Sequence, residues 1–222
     1  MRQSFRIALL ALAVVGLLGG GLAGYGSASA RGNAAVSSTT PVFDLQDHAG
    51  VFVMNPKERG TSDLVRTVDG ISINIDTTDL PVGAYTVWWV IFDDLSLCSD
   101  GECGENDVLP PHGNAEAGVT VGWLPGGIVG PDRMGHFSGS LAVGLENAPG
   151  QVMFGDGLTN PIGAEVHVIL RYHGPVIWSD ANQLLEQLNS YQGNCTPASS
   201  LGVGTDVNAF DCYEPQAAVH KP

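Results

Sequence analysis

Basic residues are scarce in this chain. Its 222 residues include 9 Lys and Arg against 23 Asp and Glu, a formal charge of −14. From Thr67 to Asp132 there are eleven acidic residues and no Lys or Arg. Such a surface repels phosphate backbones and anionic lipid headgroups, so no nucleic-acid or membrane-surface partner is expected. Long apolar runs are also lacking beyond the N-terminus. Nothing after residue 30 approaches the roughly 18 to 20 apolar residues of a spanning helix, so no stable membrane span is expected once a leader is removed. Several chemical signatures are missing as well. There is no G-x-S-x-G elbow (Gly135-His136-Phe137-Ser138-Gly139 resembles one only superficially), no phosphate-cradling G-x-x-x-x-G-K-[ST] and no dinucleotide fingerprint. H-x-H, HExxH, the zinc-deaminase pattern and the EF-hand spacing are absent too.

The first thirty residues read as a leader. Arg2 and Arg6 precede an apolar core from Ile7 through Leu18, a Gly-rich run follows, and Ala28-Ser29-Ala30 offers the small-x-small pattern for cleavage. A signal peptide over 1–30 is expected, with the mature protein secreted or periplasmic. Removing it takes away two arginines and no acid, leaving 192 residues with 7 basic and 23 acidic side chains, a formal charge of −16. Residues 31–41 are small and polar and read as a flexible lead-in. Residues 42–222 read as a single β-rich domain with room for a real core.

The strongest structural signal is Gly83–Asp94, GAYTVWWVIFDD. β-Branched and aromatic side chains suit a pleated strand. Tyr85, Val87, Trp89 and Ile91 fall on one face and Thr86, Trp88, Val90 and Phe92 on the other. Both faces are largely apolar, which predicts a central strand covered on both sides. Ile71–Ile75 alternates apolar and polar residues as a strand with one wet face does. Glu165–Tyr172 is a second strong strand, with Glu165, His167, Ile169, Arg171 and His173 on the face opposite Val166, Val168, Leu170 and Tyr172. Weaker candidates are Val51–Met54, Val119–Trp123, Met134–Val143 and Gln151–Phe154, with Pro125-Gly126-Gly127 as a turn. One helix is expected, capped by Ser179, carrying Leu184, Leu185, Leu188 and Tyr191 on a stripe and ending at Gly193. The tail from Cys195 reads as loop. These elements predict an all-β fold, a β-sandwich or partly open barrel with one short helix in the C-terminal half.

Four cysteines in an exported chain predict two disulfides, and the local pairings Cys98–Cys103 and Cys195–Cys212 are preferred. Zinc is the competing reading, weakened by spacings of five and seventeen with no CxxC pair. Two metal readings involve other side chains. His136, His167 and His173 are candidate transition-metal ligands. The last two lie about 20 Å apart along one straight strand at about 3.3 Å per residue, so they cannot share an ion without partners from elsewhere. Asp94, Glu105 and Asp107, in the acidic loop after the central strand, are candidate calcium ligands. A transition metal and calcium are thus the cofactor candidates, and no catalytic residue is assigned. Trp88 and Trp89 read as core. Trp123 and Trp178 are also expected to pack in the core, with an apolar or sugar-binding groove as the alternative.

Several segments together carry a resemblance: Leu80–Asp94, Cys98 with Cys103-Gly104-Glu105, Gly163–Pro175 (GAEVHVILRYHGP) and the closing Cys212…Pro215-Gln216-Ala217-Ala218-Val219-His220. This set resembles an uncharacterised family of exported bacterial and archaeal proteins with the same order of segments and no established activity. The resemblance implies export and one domain, and it transfers no catalytic residue. Copper-zinc superoxide dismutase and chordin-like sandwich domains are similar only in their exported β architecture and strand histidines. The expected function is an exported acidic β-sandwich acting as a binding or structural module. The alternative is a metal-binding protein or metal-dependent enzyme using the strand histidines, with Arg171 beside them.

Overall fold

In a computed structural model the described residues are 34–46, 53–108, 117–144, 152–191, 193–196 and 210–222. They all belong to one unit, Asn33–Pro222. The expected signal peptide, His48 and His112 lie outside the described residues. The fold is all-β, as expected. Nine antiparallel strands form a single sheet curved into a half-barrel: β1 (Val36–Gln46), β2 (Val53–Thr67), β3 (Gly70–Thr77), β4 (Gly83–Phe92), β5 (Val119–Val129), β6 (Gly135–Ala142), β7 (Val152–Phe154), β8 (Glu165–Tyr172) and β9 (Tyr213–His220). Their order across the sheet is β6-β3-β2-β1-β9-β8-β4-β5-β7.

The central strand follows its sequence pattern. All ten residues of β4 are buried, because each face meets its own apolar cluster. Tyr85, Val87, Trp89 and Ile91 point into the concave side, where they pack with Ile71, Ile73 and Ile75 of β3, Phe137 and Leu141 of β6, and Val166, Val168 and Leu170 of β8. Curvature brings β6 over β4, so that the Phe137 ring lies 5.9 Å from that of Tyr85. Trp88, Val90 and Phe92 face outward into a second cluster with Val119, Val121, Ile169 and Tyr191. Helix α2 (Ala181–Asn189) and the Cys98–Cys103 loop lie over this convex face. A single turn of helix in that loop, α1 (Glu105–Val108), is a second helix where only one was expected.

Several segments differ from expectation, each for an identifiable reason. β1 takes in residues 36–41 of the expected flexible lead-in, since β2 supplies a ladder from Val36↔Arg66 onward and Val42 reaches the core. β2 extends well past Met54. Its polar run is a strand because β1 and β3 flank it on both edges. Pro125-Gly126-Gly127 is not a turn but a register shift within β5 opposite Tyr85–Val87. A Cβ at Gly126 would run into the Tyr85 carbonyl, so the backbones approach there as only glycine allows. The chain reverses later, at residues 130–134. The tail contains β9, which lies in the middle of the sheet between β1 and β8. Helix α2 is capped by Asp180 rather than Ser179, its carboxylate accepting from the Asn182 and Gln183 amides. Leu185 faces solvent and Gln187 is buried instead.

Candidate functional site

Both expected disulfides are present, Cys98–Cys103 and Cys195–Cys212. They frame two different regions of the convex face.

The acidic loop is organised by its own amides. Asp94 accepts from the Ser96 amide at 3.0 Å and the Ser96 hydroxyl at 2.6 Å. Asp107 is 1 % exposed and accepts from the Ser99 amide at 2.7 Å and the Gly104 amide at 3.0 Å. These carboxylates cap backbone donors, which lowers the need for a cation to neutralise them. Asp94, Glu105 and Asp107 do not converge on one point. Among the described residues, only His173, Cys195 and Cys212 bring three potential ligand atoms within 4.8 Å of one another.

The three candidate histidines are dispersed among three settings. His136 is exposed on β6 and bonds Asp76 of β3 through Nδ1 at 2.5 Å, as its register opposite that residue requires. His167 bonds buried Glu165 at 2.7 Å and tilts against the Phe92 ring at 5.0 Å. His173 is fully buried. The structure therefore does not bring His136, His167 and His173 together: His136 is exposed against Asp76, while His167 and His173 lie six residues apart along β8 and its extension.

His173 is nonetheless the centre of a built environment. It follows β8 directly, and its amide donates to the Ala84 carbonyl at 2.9 Å, extending the β4–β8 ladder by one residue. Its Nε2 shares a 2.7 Å hydrogen bond with Thr86 Oγ1 on β4. Its Nδ1 lies 3.3 Å from Cys195 Sγ and 3.7 Å from Cys212 Sγ. Burial, and after it the positive charge of Arg171, pushes the His173 pKa down to about 3, so the ring is neutral. Gly193 has a φ of +36°, and its Cα lies so close to the ring that a Cβ would collide with Nδ1. Two residues back on β8, Arg171 pairs with Glu214 of β9, donates to Cys195 Sγ at 3.6 Å and lies over the Trp88 ring at 4.6 Å. Tyr191 stacks on that same indole at 4.7 Å.

Above this centre the chain forms a cleft of about 370 Å³. Gln187 of α2 fixes its wall. Its side-chain amide donates to the carbonyls of His173 at 3.0 Å and Pro175 at 2.9 Å, and its oxygen accepts from the Ile177 amide at 3.0 Å. With the loop held there, Trp178 is left on the rim with 73 % of its surface exposed. This overturns the expectation that Trp178 packs in the core. Trp123, by contrast, is partly buried against the convex cluster.

Sequence reasoning missed Thr86, Gln187 and Glu214 as parts of this centre. The only signal was a polar Gln187 within an otherwise amphipathic helix. The two cysteines and His173 are 22 and 39 residues apart, with no motif spacing to link them. No protein-family model, curated protein or solved structure matches the chain.

Proposed function

We propose that this chain is an exported binding module that seats a neutral sugar ring on Trp178 at the cleft mouth. The observation that carries this reading is the indole itself. Trp88 and Trp89 are buried, while Trp178 is 73 % exposed beside a cleft whose wall is fixed by three Gln187 hydrogen bonds. A pre-formed wall spares a ligand the entropy of ordering it. Covering about half of the roughly 200 Å² that an indole offers is worth about 2.5 kcal/mol at ~25 cal/mol per Å². A strongly acidic chain favours a neutral ligand over a polyanion. Two disulfides support export, and among the described residues no helix is long and apolar enough to cross a membrane. Membership of the exported family resembled by the β4 and β8 segments is part of the same proposal. The dispersal of His136, His167 and His173 supports a binding module over the strand-histidine enzyme.

The test is a fluorescence titration of the purified, untagged protein against a panel of neutral oligosaccharides, with Trp178→Ala as the control. A saturable change in wild type, weakened about 50-fold or more by the substitution, supports the reading; that factor follows from the area estimate. No saturable change with any sugar, or binding unaltered in Trp178→Ala, overturns it.

A further inference from the structure

We propose that reduction of Cys195–Cys212 turns the His173 centre into a binding site for a thiophilic d10 cation, with Zn(II) as the working example. The site would use both sulfurs and His173 Nδ1. This does not depend on the sugar reading. A tetrahedral thiolate–imidazole site, with bonds of about 2.3 Å to sulfur and about 2.0 Å to nitrogen, sets its donor atoms roughly 3.5 to 3.8 Å apart. The two sulfur–Nδ1 separations are already 3.3 and 3.7 Å. Only the two sulfurs, now bonded to each other, need to move apart.

The surroundings suit such an ion in two further ways. Thr86 Oγ1 occupies the far ring nitrogen at 2.7 Å, the second-shell contact that orients a ligating imidazole. The Arg171 guanidinium reaches Cys195 Sγ at 3.6 Å and would stabilise a thiolate there.

The chemistry balances. A phosphine reductant cleaves the S–S bond, delivering two electrons, and takes up the oxygen of one water molecule. Its two hydrogens give two thiols, and the phosphine leaves as its oxide. The cation then displaces both thiol protons and is held by two thiolates and a neutral imidazole. In the oxidised protein the sulfurs are committed to each other, so the site exists only after reduction.

The experiment uses the untagged protein carrying Cys98→Ser and Cys103→Ser, so that Cys195 and Cys212 are its only thiols. Zn(II) is titrated against a chromophoric chelator before and after phosphine reduction, with near-ultraviolet circular dichroism recorded throughout. The expected result is no high-affinity zinc when oxidised, one per chain when reduced, and protection of both thiols from alkylation by the bound ion. His173→Ala should weaken binding more than Thr86→Val, for which the usual outer-shell loss is about 10- to 100-fold. Stoichiometric zinc with unchanged affinity in His173→Ala would overturn the proposal, as would no zinc on the reduced protein. So would a reduced protein that loses its tertiary signal and does not regain it with zinc, because a preorganised site couples metal binding to the folded state.

Discussion

Two histidines are sealed in this protein as neutral rings, and that makes its stability sensitive to acid. His173 is fully buried beside Arg171, and His220 is 1 % exposed beside Arg66, with Ser38 and Ser62 on its two nitrogens at 2.9 and 2.8 Å. Burial first, then the neighbouring cation, pushes their pKa values down to about 3 and about 4; Asp63 partly opposes the shift at His220. In the unfolded chain each titrates near 6.5. Below that pH the unfolded state takes up protons that the folded state refuses. Stability is therefore intact above about pH 6.5 and falls as the pH drops toward the folded values. At pH 5 each ring sits about 1.5 units below its unfolded pKa, which costs about 2 kcal/mol per histidine and about 4 kcal/mol for both. That is a large part of the roughly 5 to 15 kcal/mol that holds a domain together. Urea unfolding at pH 8 and pH 5, followed by near-ultraviolet circular dichroism, measures the difference directly. His220→Gln keeps groups that can bond both serines but cannot titrate, so it should roughly halve the loss between the two pH values. Equal stability at pH 8 and pH 5 in wild type, or an undiminished loss in His220→Gln, would refute the reasoning.

Three further perturbations test the frame. The Cys195→Ala/Cys212→Ala pair should cost about 3 kcal/mol and Cys98→Ala/Cys103→Ala about 2 kcal/mol, because loop-closure entropy grows with the span closed; urea midpoints at constant m decide the order, and a reversed order contradicts it. Asp107→Ala leaves the Ser99 and Gly104 amides without their acceptor and should cost about 1 to 3 kcal/mol. It should also speed reduction of Cys98–Cys103 by a small dithiol, and an unchanged reduction rate would show that Asp107 does not hold that loop.

β3 is legible in the sequence because its burial alternates along the strand, and β4 and β8 because near-continuous runs of β-branched and aromatic residues mark strands covered on both faces. The sequence hid β9 because that strand satisfies its polar residues at long range. Gln216 accepts from Thr77, 139 residues away, and His220 bonds Ser62, 158 residues away. Read locally, Tyr-Glu-Pro-Gln has no apolar alternation to announce it. The local disulfide pairings, preferred among three possibilities, are the ones present. The contact of His173 with one of them could not be read from the sequence, since it depends on Gly193 and the end of β8 meeting in space. Trp178 was misread for a similar reason. What exposes it is Gln187 holding the preceding loop, a bond between residues ten apart that no hydrophobic pattern reports.

The place of β9 also sets a clock. One arc of the ladder is β6-β3-β2-β1 and the other is β8-β4-β5-β7, and β9 alone joins them by strand pairing. Phe43 pairs with Ala217, so this seam connects β1 to β9 across a long span of sequence. Closing so long a span gains few contacts until late, and topologies dominated by such pairings fold slowly. Whether the chain is emerging from a ribosome or threading N-terminus first through a narrow pore, its two arcs wait unjoined for the final strand. Arrival of β9, rather than of any earlier strand, commits this sheet to its final form.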